Sequence, residues 1–367
     1  MTNNNNKICV AVLFGGRSGE HEVSLVSASS VIEHLDKEKY EVIPIGITKQ
    51  GKWIKGHDSM KCLKSPHAPD KSNAIIAPEP RELLSSNSEE KIDVIFPVLH
   101  GPYGEDGTMQ GFLELTGLPY VGCGVLASSV CMDKVMQKKV LESEDIKQTQ
   151  YIWFWAKDWH ARKDIIINEL AFAYPLFVKP ANLGSSVGIS KTHDKEELVK
   201  AVEEALQYDR KVIIEQGVPN PREIEVAVLG NQEPKASVPG EIIPSNEFYD
   251  YDAKYVDGKS QAKIPADLAD DQIKHIQETA IKAYKALNCE GMARVDFLLT
   301  KDNELYLNEL NTIPGFTSIS MYPKLWEASG LSYKDLLDQL ITLALARSKE
   351  KQDIKITYQP KNDWYNK

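Results

Sequence analysis

The chain has few cysteines and uses them singly. Cys9, Cys62, Cys123, Cys131 and Cys289 are odd in number, scattered, and contain no CxxC pair. This excludes a disulfide framework and a structural zinc site, and it fits a reduced, cytoplasmic protein. No apolar run approaches the ~18 residues of a membrane span. No secretory apolar region opens the chain, because Ile8 to Phe14 runs directly into Gly15-Gly16. Positive charge is short: 43 Lys and Arg against 53 Asp and Glu leave a net charge of -10, which argues against a nucleic-acid partner. There is no internal repeat. What remains is an ordinary soluble composition, 42% hydrophobic and 26% charged, in 367 residues, enough for two or three domains.

The most informative stretch runs from Gly291 to Asn311. Met292 to Leu299 and Leu305 to Asn311 read as two strands around a turn at Asp302-Asn303. Side chains alternate faces along a strand, so Arg294 and Asp296 share one face, as do Glu309 and Asn311. A turn at Asp302-Asn303 sets Asp296 opposite Glu309 and Arg294 opposite Asn311. Opposed Cβ atoms lie roughly 5 Å apart, where like charges are destabilising. Two facing carboxylates call for a cation, and a donor set of Asp, Glu and Asn oxygens suits Mg²⁺. A plain hairpin with a solvated polar face remains the simpler alternative. Asn311-Thr-Ile-Pro-Gly315 then leaves the strand through a turn whose glycine admits close approach of a ligand.

Upstream, Lys7 to Phe14 reads as a buried strand, and Gly15-Gly-Arg-Ser-Gly-Glu-His-Glu-Val-Ser24 turns it into a helix beginning near Glu22. Strand, glycine turn and helix also open dinucleotide folds, so a nicotinamide-dependent oxidoreductase is the competing reading. The pattern is not GxGxxG, however, and the second strand, Tyr40 to Ile47, ends in Gly-Ile-Thr rather than in the acid that would hold a ribose. Glu20 would repel phosphate. It suits an ammonium group, or merely a helix start. Residues 1–6 are expected to be disordered and 55–91 to form a loose peripheral insertion. Ile92 to Leu99 is a third strand, ending in the glycine-rich loop His100-Gly-Pro-Tyr-Gly-Glu-Asp-Gly107, where ligands of parallel sheets sit. His100 either meets substrate there, orients Glu20, or is an exposed loop histidine.

Val125 to Ser143 reads as one helix carrying Lys134. Tyr174 to Lys179 is a strand whose terminal lysine precedes Pro180-Ala-Asn-Leu-Gly-Ser-Ser-Val-Gly-Ile-Ser190, a small-residue loop able to fold over phosphates but not a Walker sequence. A helix spans Glu196 to Leu206. Lys211 to Glu215 is a strand stopping at a Pro-bounded hinge, with free backbone groups for an adenine edge. Arg222 to Leu229 opens a further domain. Glu247 to Tyr255 reads as a lid loop. Gln272 to Leu287 and Tyr333 to Arg347 are helices.

Taken together, residues 7 to 346 resemble the D-alanine–D-alanine ligases of the ATP-grasp superfamily. The likeness rests on the Gly15–Ser24 turn, on His100-Gly-Pro-Tyr-Gly-Glu-Asp-Gly-Thr-Met-Gln-Gly111, on Lys179-Pro180 with Gly184-Ser-Ser-Val-Gly188, on Tyr249-Asp-Tyr-Asp-Ala-Lys-Tyr255, and on Arg294-Val-Asp296 with Asn308-Glu-Leu-Asn-Thr-Ile-Pro-Gly-Phe-Thr-Ser318. It implies an α/β, three-domain ATP-grasp fold: a Rossmann-like domain over 1–122, a central ATP-grasp lid domain over 123–219, a C-terminal α+β ATP-grasp domain over 220–350, and a polar tail over 351–367. It implies cytoplasmic ATP-dependent joining of two D-alanines for peptidoglycan synthesis, through a D-alanyl phosphate, by a homodimer that needs neither membrane nor nucleic acid.

The resemblance also implies roles. Asp296, Glu309 and Asn311 would hold Mg²⁺ or Mn²⁺, two ions per site. Lys134, Lys179, Lys254 and Ser185 would hold ATP phosphates, with Asn308 beside them. Glu215, Gln216 and Val218 would read adenine, and Glu223 the ribose; the family often has Lys where Gln216 stands. Glu20 and His100 would bind the first D-alanine, Arg294 and the Gly315 amide would form the oxyanion hole, and Ser320 with the Met321 backbone would take the second carboxylate. Ser185 and Tyr255 would tie two loops to Glu20 and exclude water. The Lys254-Tyr255 pair resembles the dipeptide-forming type rather than makers of D-alanyl-D-lactate.

Overall fold

Continuous Val, Ile and Leu runs fold into strands buried on both faces. Strand β1 (Ile8–Gly15) is followed by α1 (His21–His34), β2 (Tyr40–Ile47), β3 (Trp53–Lys55), α2 (Ser59–Lys64), β4 (Val94–Val98) and α3 (Thr108–Thr116). The computed structural model to which these belong describes residues 7–56, 58–64, 91–184, 186–243 and 261–355. β1 pairs in parallel with β2 and β4, while β3 adds antiparallel to β2. The segment expected to be a loose insertion over 55–91 therefore begins with an ordered helix: Cys62 of α2 is buried, and Leu63 packs against the first core.

The single helix expected over 125–143 is two, α4 (Val125–Met132) and α5 (Lys134–Ser143). Asp133 separates them. Its backbone is extended, and its carboxylate accepts from the Val135 and Met136 amides, satisfying donors at the new helix start. Capping by a short acidic side chain outweighs continuation. Then come β5 (Tyr151–Trp155), α6 (Ala156–Asn168), β6 (Leu176–Pro180), β7 (Ser190–Thr192), α7 (Lys195–Ala205) and β8 (Lys211–Gln216). They form an antiparallel sheet ordered β5-β8-β6-β7. Its core is its own: Phe154 stacks on Trp159, and Leu198 and Val202 of α7 meet Val178 and Ile214.

The last sheet comprises β9 (Arg222–Gly230), β10 (Lys235–Ala236), β11 (Gly240–Ile243), β12 (Gln261–Lys263) and, after α8 (Asp270–Ala286), β13 (Gly291–Leu299) and β14 (Leu305–Asn311). Its order is β12-β11-β9-β13-β14, with β10 on β9. Ile276, Ala280 and Tyr284 of α8 cover one face. α9 (Met321–Ala328) and α10 (Tyr333–Gln352) cover residues on the other. Leu336, Leu340 and Ile341 of α10 belong to the same core as Val94, Phe96 and Val98 of β4, so one apolar interior joins the first and last sheets. Arg347 fastens this joint by donating to the Gly122 and Tyr120 carbonyls at 2.5 and 2.7 Å. All five cysteines are buried, and none forms a disulfide. Among the described residues no helix is long and apolar enough to cross a membrane.

Candidate active site

Strands β13 and β14 pair as Arg294 with Asn311 and Asp296 with Glu309. On the other side of β13, Asp296 pairs with Glu225 of β9. Glu225, Asp296 and Glu309 thus form one row across three strands on one face. Such a row needs positive charge, and here Arg294 supplies it. Its Nε and Nη2 donate to the two carboxylate oxygens of Asp296, each at 2.7 Å, and Nε lies 3.1 Å from Glu225. Burial would favour the neutral guanidine, but Asp296 and Glu225 outweigh it and hold the Arg294 pKa well above its ordinary value. Asn311 donates Nδ2 to Asp296 at 3.0 Å, leaving its carbonyl oxygen as the group able to ligate.

The hairpin face therefore brings together Asp296, Glu309 and Asn311, the three residues expected to hold a metal. Its donors are all oxygens, and among the described residues no cluster of three or more His, Cys, Asp or Glu forms a protein cage. A hard cation held by two carboxylates and an amide, completed by water and phosphate, fits this chemistry.

Facing the hairpin, in the same cavity of about 280 Å³, stand Glu20, His100, Lys134, Gly184, Gly315 and Ser320. Glu20 is buried just before α1. Three segments close on it. Its amide donates to Ser18 Oγ at 3.2 Å. A Cβ at Gly101 would lie 2.7 Å from its Oε2, and one at Gly184 would lie 3.0 Å away, so the small residues of both loops let the carboxylate in. His100 is not an exposed loop residue. It is buried, its Nδ1 is 3.1 Å from the Ile313 carbonyl and its Nε2 is 3.2 Å from Ser27 Oγ. Burial lowers its pKa despite the nearby Glu20.

At the far end, Ser320 precedes α9 and Met321 opens it, a helix N-terminus able to receive a carboxylate. Ser320 Oγ is 2.8 Å from Thr317 Oγ1, and a side chain at 315 would strike it at 2.7 Å. A larger residue there would push the Ser320 hydroxyl off Thr317.

The lysines gather around Glu215. Lys179 Nζ donates to Glu215 at 3.0 Å, Lys138 lies 3.7 Å away, and Lys134 donates to the Leu183 carbonyl at 2.7 Å while standing 4.0 Å from Glu309. Burial would raise the Glu215 pKa, but Lys138, Lys179 and Lys134 overcome it and hold it down at about 2. Burial lowers the pKa of Lys134 and Lys138. Glu215 is thus occupied by Lys179 and Lys138. The Gln216 and Gly217 amides, expected to be free for adenine, instead donate to the Gln150 and Pro175 carbonyls at 2.9 and 2.8 Å. The reason is that β8 is an interior strand of its sheet and its end is tied to neighbouring segments. Val218 follows this tied segment, and Glu223 lies on β9 opposite Ile242. Asn308 is a bulge residue of β14. Ser185, Lys254, Tyr255 and the 247–255 lid lie outside the described residues.

Sequence reasoning missed Lys138, Glu105 and Glu225. Lys138 is one helical turn beyond Lys134, and Glu225 alternates with Glu223 on one strand face, so both were open to the same periodicity arguments. Glu105 accepts from the Gly101 amide at 2.9 Å, and desolvation together with Glu20 raises its pKa well above the ordinary value.

Comparison with known proteins supplies the family. Family models described as D-ala D-ala ligase N-terminus and C-terminus match residues 9–123 and 140–342. A D-alanine–D-alanine ligase of Caldicellulosiruptor bescii is 53% identical over 358 residues, 95% of this chain and 98% of its own. The solved D-alanine–D-alanine ligase of Coxiella burnetii is similar with a TM-score of 0.79 and 39% identity, covering 94% of this chain and 96% of its own. The VanG D-Ala:D-Ser ligase of Enterococcus faecalis is similar with a TM-score of 0.81 and 40% identity, covering 92% and 99%.

Proposed function

This chain belongs to the D-alanine–D-alanine ligase family, with its ATP-grasp fold, and we propose that the cavity between Glu20 and the β13–β14 hairpin is where it works. The enzyme joins two D-alanines into D-alanyl-D-alanine, a peptidoglycan precursor, using ATP and a divalent metal. The observation that carries our assignment of the site is the convergence, in one cavity, of a buried acid (Glu20), a guanidinium (Arg294) and the hairpin oxygens of Glu309 and Asn311, with Asp296 paired to Glu309 and bonded to Arg294 at its edge.

Glu20 receives the ammonium of the first D-alanine and directs its carboxylate toward Arg294. A carboxylate oxygen attacks the γ-phosphorus of ATP, and ADP leaves. Asp296, Glu309 and Asn311 would hold Mg²⁺ or Mn²⁺, two ions in our reading, and the bound metal would supply positive charge against the transferring phosphoryl group. Lys134 and Lys179, with Lys254 and Ser185, hold the phosphates, and Lys179 exchanges Glu215 for them. The segment Glu215 to Val218, whose Gln216 and Gly217 amides are already bonded within the fold, takes the nucleoside through its other groups together with Glu223, and Asn308 lies alongside the phosphates. The amine of the second D-alanine, its carboxylate at Ser320 and Met321, then attacks the acyl carbon. Arg294 and the Gly315 amide stabilise the oxyanion, and phosphate departs.

His100 lines the first-substrate pocket. Tyr255 and Ser185 close it, because an acyl phosphate must be kept from water. We take residues 123–219, which contain the sheet with its own core, as the unit that closes over ATP against 220–350, while 1–122 moves with the latter.

The test is ATP-dependent phosphate release with a panel of D- and L-amino acids, D-serine and D-lactate, with products identified by mass. Release with D-alanine alone, giving D-alanyl-D-alanine, is expected. Release only with a different second substrate would remove our assignment of Ser320, Met321 and Tyr255.

A further inference from the structure

We propose that Glu225 is a positioning residue that anchors Arg294 while Asp296 is engaged by the divalent cation, so that cation binding and capture of the amino-acid carboxylate become coupled. The inference rests on the site assignment above and concerns a residue to which that assignment gives no role.

Both oxygens of Asp296 accept from Arg294, and one of them also accepts from Asn311. These three bonds leave the carboxylate about one of its roughly four lone-pair positions, with the guanidinium beside it. A divalent ion arriving at Asp296 is repelled by that guanidinium, which favours loosening of the fork. The Arg294 side chain is only 20% exposed, and a guanidinium removed from water in this way needs a partner. Glu225 is placed to be that partner. It pairs with Asp296 in the β9–β13 ladder, so its side chain shares the cavity face, while its neighbours Ile224 and Val226 enter the core beneath α8. Its Oε2 already lies 3.1 Å from Arg294 Nε.

Arg294 therefore bridges two carboxylates when the cation is away. When Asp296 is taken, it keeps Glu225 and directs its freed N–H groups toward substrate. The cation would release the fork that binds the carboxylate, and by linkage the carboxylate would favour the cation.

The experiment compares wild type with Glu225→Gln. Thermal melts monitor the fold. Mn²⁺ affinity is read by electron paramagnetic resonance of free Mn²⁺ in the presence of ADP, and D-alanine affinity by calorimetry on the ADP-bound enzyme with and without Mn²⁺. In wild type Mn²⁺ is expected to tighten D-alanine binding about 10-fold, and in Glu225→Gln this coupling falls below about 3-fold, with KM for D-alanine rising more than kcat falls. A purely structural role would lower the melting temperature and leave the coupling intact, which would overturn the proposal. So would a wild type without coupling.

Should the variant not fold, a wild-type crystal structure with Mn²⁺ and ADP decides. The proposal requires the Arg294–Glu225 contact to persist within about 3.5 Å while the two-point contact with Asp296 is lost. The reverse would refute it. If D-alanine fails to bind wild type under any condition, the substrate assignment fails instead, and the Mn²⁺ structure still judges Arg294.

Discussion

Asp296 faces Glu309 because β14 contains one extra residue. Near the turn the ladder pairs Leu299 with Leu305 and Phe297 with Leu307, a register that would put Asn308 opposite Asp296. The register shifts between Asp296 and Phe297, Asn308 is left without a partner across the ladder, and Glu309 takes the position. The bulge also puts Asn308 and Glu309 in succession on partly exposed positions, between buried Leu307 and Leu310. Bulges of this kind re-aim side chains next to ligand sites, and here the consequence is a carboxylate pair.

Replacing either member of that pair should stop the chemistry without unfolding the protein. Asp296→Asn and Glu309→Gln are expected to lower ATP-dependent phosphate release at least ~100-fold, with a circular dichroism spectrum like that of wild type. Normal turnover in either variant would sink the metal assignment.

Arg294→Lys keeps the charge but loses the planar fork that meets Asp296 at two points. If Arg294 also stabilises the oxyanion, kcat should fall on the order of 100- to 1000-fold. A loss confined to KM would assign Arg294 to ground-state binding alone.

Glu20→Gln removes the charge that meets the ammonium while preserving the shape that Gly101 and Gly184 enclose. A charge-assisted hydrogen bond is roughly twice as strong as a neutral one, so the KM of the first D-alanine should rise about 10- to 100-fold. Steady-state analysis that resolves the two D-alanine sites checks this. An effect only on the second site would move Glu20 to the other substrate.

Glu215→Gln should destabilise the enzyme at neutral pH, on the order of 3 kcal/mol by the shift from 4.5 to about 2. The folded pKa is depressed, so this contribution is present above the unfolded value and is lost as pH falls through the folded one. The gap between wild-type and variant stability, followed by denaturant unfolding, should therefore close as pH drops from 4.5 toward 2. A pH-independent gap would mean that packing, not charge, explains the loss.

Much of the site was legible because its signals are local. Period-two alternation puts Arg294 with Asp296 and Glu309 with Asn311 on shared faces whatever the rest of the chain does. The expected turn at Asp302-Asn303 is a three-residue loop with Asn303 at φ 64, yet the pairing holds, because the bulge at Asn308 offsets the extra loop residue. Glycine-rich turns after β1 and β4 also announced themselves. The aromatic strand β5 and the helix α9 that Met321 opens were not read as elements: each is short, and what makes each stable is tertiary partners rather than a long period.

The sequence by itself determined the oxygen donors of the hairpin, the acid in the first glycine turn and the scattering of cysteines without a CxxC pair, since these follow from composition and from the geometry of a few neighbouring residues. Only the tertiary structure decided that Lys138 and Lys179, from separate segments, enclose Glu215, that Glu225 shares Arg294 with Asp296, and that α10 closes one core over two sheets. Those pairings join residues tens to hundreds of positions apart. Their partners are chosen by burial, which leaves a charge without water and obliges it to find its opposite in whatever element packs against it.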